Sequence, residues 1–302
     1  MFSYGRLSKR PEIFRTFTGL EVSEFDSLHS KIEPKYEEYE RKRLSRPGRK
    51  REIGAGNQFK LSLRDRLLML LVYYRTYVTS TLAGFLFNLD QSNVLKDIRM
   101  LEPLVKECTP IPKKVYEGAK RARTPEEVEQ FFPGFKVFID GTEQEIPRPK
   151  NAKKRKTHYS GKRKRHTVKT QLTVNGKGAI VHKTRHARGR RHDYDIFKQN
   201  RPELPPGVKP GVDLGYHGIQ KDYPELNALI PYKKGKGKEL TEEQKAFNRA
   251  LAKARVVVEH TISRLKKFRI MGEEFRNRLK RYDVMTEIVS GFVNLRIMGA
   301  AA

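Results

Sequence analysis

Three carboxylates stand in settings that suit two-metal phosphoryl transfer. Asp140 ends the apolar run Phe135-Lys136-Val137-Phe138-Ile139 and is followed by Gly141-Thr142. Asp213 follows Pro210-Gly211-Val212 and leads into Leu214-Gly215-Tyr216-His217-Gly218. Glu259 lies in a helical pattern, Ala254-Arg255-Val256-Val257-Val258-Glu259-His260. Two Asp at strand ends and one Glu on a helix can converge on a pair of Mg²⁺ or Mn²⁺ ions, which favour hard oxygen ligands. Such a pair stabilises both the attacking and the leaving oxygen of an in-line displacement.

Each has a plainer reading. Asp140 also reads as a turn cap, through Gly141. Asp213 competes with Asp193 and Asp195; Asp193 reads as the N-cap of a short helix reaching Gln199. Glu259 has Arg255 four residues before it and Ser263 four after, which allows an ordinary helical ion pair. Arg255 can instead orient Glu259 or hold a phosphate; Lys266, one further turn on, can do the latter.

The chain around these acids is basic. Among 302 residues, 64 Lys and Arg stand against 35 Asp and Glu, a formal charge of +29. That excess is the electrostatic footprint of a polyanion partner, so the phosphate is expected to belong to nucleic acid. A solvated basic face is the bland alternative, and no basic amphipathic helix with an aromatic face points to a membrane surface. Ten Lys and Arg fall between 148 and 165: Arg148, Lys150, Lys153, Lys154, Arg155, Lys156, Lys162, Arg163, Lys164 and Arg165. This tract reads as a DNA clamp, with a nuclear-localisation tract or a solubilising loop as alternatives. Tyr159 within it is placed to stack on a flipped or frayed base. His182, His186 and His192 raise the alternative of zinc, but Arg188, Arg190 and Arg191 among them would repel a cation, and the segment reads as phosphate-binding.

The single Cys108 excludes an internal disulfide and a cysteine-based zinc site. The N-terminus carries no apolar signal core, and the longest apolar run, Leu67 to Tyr74, is far short of the roughly 20 residues that span a bilayer. A cytoplasmic protein is expected.

About two domains are expected at roughly 150 residues each. Ser23 to Leu44 reads as a charged helix capped by Ser23, with Phe25, Leu28 and Ile32 on one face. A basic, glycine-containing linker follows, from Arg46 to Gly56. Leu61 to Tyr77 is a helix with a stripe at Leu63, Leu67, Leu68, Leu71 and Val72. Ser80 to Phe87, a turn at Asn88-Leu89-Asp90, and a helix from Gln91 to Lys106 resemble a helix-turn-helix, with a plain helical hairpin as the alternative. Gln91, Ser92, Asn93 and Lys96 would then face the major groove. Pro110 to Pro125 reads as a connector, and Thr124 caps a short helix.

From Lys136 the pattern is short strands: Val137 to Ile139, Glu143 to Ile146, His166 to Val174, then Asn175-Gly176 as a hairpin turn and a return through Thr184. Val212 and Ala228 to Pro231 read as further short strands, and Lys233 to Lys238 as a loop. A capping box at Thr241 and Gln244 opens a long helix to Phe268. Arg281 to Met298 closes the chain as a helix. The architecture is mixed α/β. The expected divisions are 1–56, a helical and basic segment; 57–115, a helix-turn-helix domain; and 130–302, an α/β domain.

The order Asp140, Asp213, Glu259 within this element order resembles the DDE transposases, and specifically an insertion-sequence group with a helix-turn-helix ahead of its core. Ile139-Asp140-Gly141-Thr142, His192-Asp193, Asp213-Leu214-Gly215-Tyr216 and Val256-Val257-Val258-Glu259-His260 carry the likeness. It implies a ribonuclease-H-like mixed sheet flanked by helices, preceded by an all-α helix-turn-helix domain. It also implies a catalytic triad of Asp140, Asp213 and Glu259 holding two divalent metals, cleavage at transposon ends, strand transfer into target DNA, and a homodimer that joins two ends. The alternatives are a metal-dependent nuclease without strand transfer and an inactive, transposase-derived DNA-binding protein. An RNA-binding role is disfavoured by the lack of an RRM signature or a KH GXXG loop.

Overall fold

The computed structural model describes residues 2–45, 48, 52, 58–235, 237 and 239–299. Most of the expected linker at 46–56 lies outside them, as do Lys236 and Lys238 of the expected loop. The chain divides into two compact units, Met1–Pro110 with Lys267–Ile270, and Ile111–Lys266 with Met271–Ala302. No helix among the described residues is long and apolar enough to cross a membrane.

The first unit is helical: α1 (Tyr4–Leu7), α2 (Pro11–Thr18), α3 (Val22–Leu44), α4 (Leu63–Thr76), α5 (Ser80–Phe87) and α6 (Gln91–Cys108). α3 is opened by a capping box of Glu21 and Glu24, not by Ser23. Two carboxylates can cap in turn because each accepts from a free first-turn N–H. α4 is buried on every side from Arg66 to Tyr74, rather than along one stripe. Its one charged buried residue, Arg66, donates to Tyr36 Oη at 2.9 Å and to Asp97 Oδ1 at 3.3 Å. α5 and α6 meet at a tight turn where Asn88 is left-handed. A β-carbon on Gly84 would stand 2.4 Å from the Leu89 carbonyl, so only glycine lets the turn close there. Val94, Ile98, Leu101 and Leu104 of α6 are buried, while Gln91, Ser92, Asn93 and Lys96 are exposed.

The second unit begins with a correction. The segment read as a connector forms α7 (Pro112–Arg121), because Val115 and Ala119 share a face that joins a core of Val128, Phe132, Val137, Val181 and Val208. α8 (Pro125–Phe131) follows, with the Thr124–Glu127 capping box. A second correction concerns the strands. The two expected around Asp140 are one strand, β1 (Lys136–Glu145), so Asp140 lies mid-strand. Gly141 does not break it, because the strand Arg165–Asn175 pairs with β1 without interruption from Val137↔Asn175 to Glu145↔Thr167.

The basic tract folds as α9 (Ala152–His158), capped by Asn151, and β2 (Tyr159–Ser160). β3 (Arg165–Asn175), β4 (Ile180–Lys183), β5 (Ala187–Arg188), α10 (Asp193–Gln199), β6 (Lys209–Gly211) and α11 (Ile219–Asp222) come next. The strand order is β2-β3-β1-β6, with β4 and β5 also paired to β3. β6 runs parallel to β1 and the rest are antiparallel, so the sheet is mixed. Ala228 to Pro231 is not a strand; it makes one bridge, Leu229 to Gly211. α12 (Glu242–Lys266), α13 (Arg269–Gly272) and α14 (Tyr282–Gly299) end the chain. The Thr241–Gln244 box opens α12, with reciprocal bonds of 3.2 and 3.1 Å. The Asn294 side chain on α14 bonds both backbone groups of Ile180, at 2.7 and 2.9 Å.

Successive side chains of a strand point to opposite faces. On β1, Val137 and Ile139 enter two apolar clusters with α7, α8, α10 and α11 residues. Phe138 points the other way and packs by Gly211 near Leu251 of α12. Asp140 shares the parity of Phe138 and therefore the face towards α12.

Candidate active site

β6 accompanies β1 only from Lys136 to Phe138. Past that point β1 loses its parallel neighbour, and a cleft of about 570 Å³ opens. Asp140 of β1, Asp213 two residues beyond β6, and Glu259 of α12 all line it. The structure therefore brings the three predicted carboxylates together from three elements. On α12, Glu259, Ile262 and Lys266 face the cleft at spacings of three and four, one side of a helix. Val258, Thr261 and Leu265 are buried beside them.

The carboxylates differ. Asp140 Oδ1 accepts from the Gly141 amide at 2.8 Å. Burial nevertheless pushes its carboxyl up to about 6; the Gly141 bond and the Arg255 charge pull the other way, and Asp213 and Asp193 add repulsion. Asp213 Oδ1 accepts from the Gly215 amide at 2.9 Å, capping a short 3₁₀ turn. Glu259 is exposed. A half-buried carboxyl raised by burial and by neighbouring acids is a place where a divalent cation would be stabilising. The donor set, all carboxylate oxygen, fits a hard ion. Among the described residues, no three His, Cys, Asp or Glu side chains already converge closely enough to hold one.

Two further acids enter the cleft. Asp193 is not the cap of α10; His192 holds that position and Asp193 is the first helical residue. Its carboxylate turns instead to Lys169 Nζ, at 3.2 Å, and an added β-carbon on Gly141 would meet it at 2.9 Å. Lys169 Nζ is also 3.4 Å from Glu143 Oε1, and Glu143 accepts from Thr167 Oγ1 at 3.0 Å. Gln171 pins the start of α10 by donating to the Asp193 carbonyl at 3.1 Å. Sequence reasoning passed over Lys169 and Glu143. The available signal was a lysine in a strand, flanked by Val168 and Thr170, two residues before Gln171 and so on the same face.

The basic residues sort by place. Lys162, Arg163, Arg190, Arg191 and Lys266 line the cleft. Burial, and then Arg163, lower the Lys266 ammonium below its ordinary value. Arg155 and Lys156 border a neighbouring basin, and Arg188 lines a third recess with His158, His186 and His192. Lys153, Lys154, Lys164 and Arg165 are exposed to solvent. Arg255 is half-buried and acts on Asp140 through its charge. The histidines do not form a zinc cluster. His182 is driven down to about 4 by burial and packs on Tyr116, while His186 pairs with Asp283 at 2.8 Å. Gln91, Ser92, Asn93 and Lys96 belong to the first unit, on the opening turns of α6.

Residues 139–294 match the family described as DDE superfamily endonuclease, and residues 59–111 match the helix-turn-helix of DDE superfamily endonucleases. The chain belongs to the DDE superfamily. It is 33% identical over 248 residues to a probable transposase for insertion sequence element IS702 from Microchaete diplosiphon, covering 82% of this chain and 86% of that protein. No solved structure matched it. The helical first unit and the mixed, helix-flanked sheet are the helix-turn-helix and ribonuclease-H-like parts expected of this DDE protein, a family of enzymes that generally use divalent metal ions.

Proposed function

We propose that the protein is a DNA transposase that cuts at the ends of its element and joins the freed 3′-hydroxyls to target DNA. The observation that carries this reading is the cleft shared by Asp140, Asp213 and Glu259 under a cationic rim. In this proposal residues 57–115 bind the transposon end, with Gln91, Ser92 and Asn93 at base edges and Lys96 at a phosphate. Residues 130–302 carry the chemistry, and the preceding 1–56 support the first module.

Asp140, Asp213 and Glu259 would hold two Mg²⁺ or Mn²⁺ ions. Bound there, such ions lower the pKa of a water or hydroxyl nucleophile and neutralise charge at the reacting phosphate. The chain's own groups position the substrate. Lys266, Arg163, Arg190 and Arg191 bind phosphates flanking the scissile one, which makes affinity fall steeply with salt. Lys153, Lys154, Arg155, Lys156, Lys162, Lys164, Arg165 and Arg188 extend that grip along the duplex. Arg255 balances the charge of Asp140 from beneath. Two element ends must be joined in one reaction, so the working form is a homodimer on double-stranded DNA, acting in the cytoplasm, at the nucleoid in a prokaryote.

The test is cleavage of DNA carrying the flanking ends of the protein's own gene, in Mg²⁺, with Glu259→Gln alongside. End-specific nicks lost in the variant support the reading. Binding without metal-dependent cleavage by either protein would replace it with a non-catalytic DNA-binding role. Nicks without joined products would leave a nuclease.

A further inference from the structure

A groove of about 1030 Å³ lies in the first unit, beside the turn between α5 and α6. Its apolar lining includes Phe2, Ile13, Phe17, Phe85 and Leu89. Ile13 and Phe17 are four residues apart on α2 and so share a face. The start of the chain is fastened across to α5. The Phe2 amide donates to the Leu86 carbonyl at 2.9 Å, and the Phe2 ring meets Phe17 and Phe87 edge-on, with centroids 5.1 and 5.9 Å apart. The walls are therefore tied together by the fold itself. Phe85 nevertheless stands 82% exposed, the most exposed large apolar side chain among the described residues. Arg6, Lys9, Arg10 and Lys60 also line the groove, all of them exposed, against one lining acid, Asp90.

We propose that this groove docks an acidic amphipathic helix of a partner protein, with the helix's apolar stripe on Phe17 and Phe85 and its carboxylates on the four cations. The chemistry of the lining selects that occupant. Exposed apolar surface edged with charge marks a protein-binding site, and a protruding aromatic is the usual anchor of one. A helix that is apolar on one side and acidic on the other meets both parts of the lining at once. Duplex DNA would match the cations but would leave Ile13, Phe17 and Phe85 facing phosphates. A second copy of the chain, docked by two-fold symmetry, would set the four cations against themselves. The groove stops at Asp90, and Gln91, Ser92, Asn93 and Lys96 do not line it. The partner is thus held at the turn between the two helices while the opening residues of α6 stay uncovered. This docking does not depend on the chemistry proposed for the second unit.

The probe is a fluorescein-labelled synthetic helix with Leu and Phe at positions i, i+3, i+4 and i+7 and Glu on the remaining face. It is titrated with the full-length protein and followed by anisotropy. A control peptide of the same composition carries its apolar residues scattered around the helix. The striped peptide should bind about tenfold more tightly than the control, because only its apolar side chains reach the groove together. Phe85→Ala should weaken the striped peptide about thirtyfold, the scale of one aromatic anchor. A side chain so exposed carries little of the fold, and circular dichroism of the variant should match wild type. Arg10→Glu should weaken both peptides and reduce the dependence on salt. Affinity for duplex DNA carrying the flanking ends of the gene should stay within about twofold in Phe85→Ala, since no phosphate contact is removed. Equal binding of the two peptides would reduce the groove to unspecific charge and overturn the proposal, as would full affinity for the striped peptide in Phe85→Ala. Loss of DNA affinity in that variant would assign the groove to DNA instead. A DNA-free dimer in sedimentation that Phe85→Ala dissociates would assign it to a second copy of the chain; either result overturns the helix-docking site.

Discussion

Lys169 Nζ stands 3.2 Å from Asp193 Oδ1 on one side and 3.4 Å from Glu143 Oε1 on the other, at the edge of a cleft lined by five carboxylates. The lysine and Glu143 are only 12% and 11% exposed. An ammonium built into the protein thus offsets half of the charge of two of the acids, and the proposed function leaves Asp140, Asp213 and Glu259 to hold cations from solution. Lys169→Met should leave Glu143 with Thr167 alone and Asp193 without its ion pair. Loss of one member of a buried pair costs about 3–5 kcal/mol; with Asp193 38% exposed, about 1–3 kcal/mol is expected here. Urea denaturation measures the loss, and added Mg²⁺ should recover more stability in the variant than in wild type.

The burial that raises Asp140 to about 6 gives a pH dependence with a defined sign. Its folded value lies above the unfolded value of 3.8, so the folded state binds the proton more tightly. Without metal, this contribution to stability is present below about pH 4 and is lost as pH rises through about 6. Cation binding has the opposite dependence, because it needs the ionised carboxylate. The rise in Tm on adding Mg²⁺ should therefore be small at pH 5 and large at pH 7.5. Asp140→Asn should flatten that difference, which thermal melts across the range will read.

The exposed start of α6 predicts two kinds of loss. Asn93→Ala removes a candidate base contact and should cost about 1–3 kcal/mol on the cognate end, with little change on random DNA. Lys96→Ala should weaken both about equally and lower the slope of log affinity against log salt by about 1. Titrations at several salt concentrations separate the two.

Arg66 is 1% exposed and its guanidinium is shared between Tyr36 and Asp97. Burial raises the Asp97 carboxyl against the pull of Arg66, so the pair rests on mutual contact. Asp97→Ala leaves a buried charge unpaired and should cost about 3–5 kcal/mol. Loss of helical circular dichroism at lower urea, with DNA binding lost in step, is the expected result.

Much of this was legible in sequence. The hairpin turn at Asn175-Gly176, the caps at Thr124 and Thr241 and the stripe of α6 rest on local chemistry, and local chemistry is written in adjacent residues. α7 was missed because Pro112 and the lysines around it read as a linker. What makes it a helix is the core that Val115 and Ala119 meet, residues distant in sequence. Asp140 was read as ending a strand because Gly141 looked like a turn; the unbroken pairing with β3 overrides it. The cleft's acids were visible as types and spacings. Their partner Lys169 was not, since a strand lysine becomes informative only when β1 and α10 are known to flank it.

Glu259, Ile262 and Lys266 occupy one side of a continuous 25-residue helix. At 1.5 Å per residue, the acid and the lysine are about 10 Å apart along its axis. That interval is fixed by hydrogen-bonded backbone and not by loops. α12 therefore works as a gauge block: the interval between the carboxylate proposed to hold metal and the lysine proposed to anchor a phosphate is set by the helix itself.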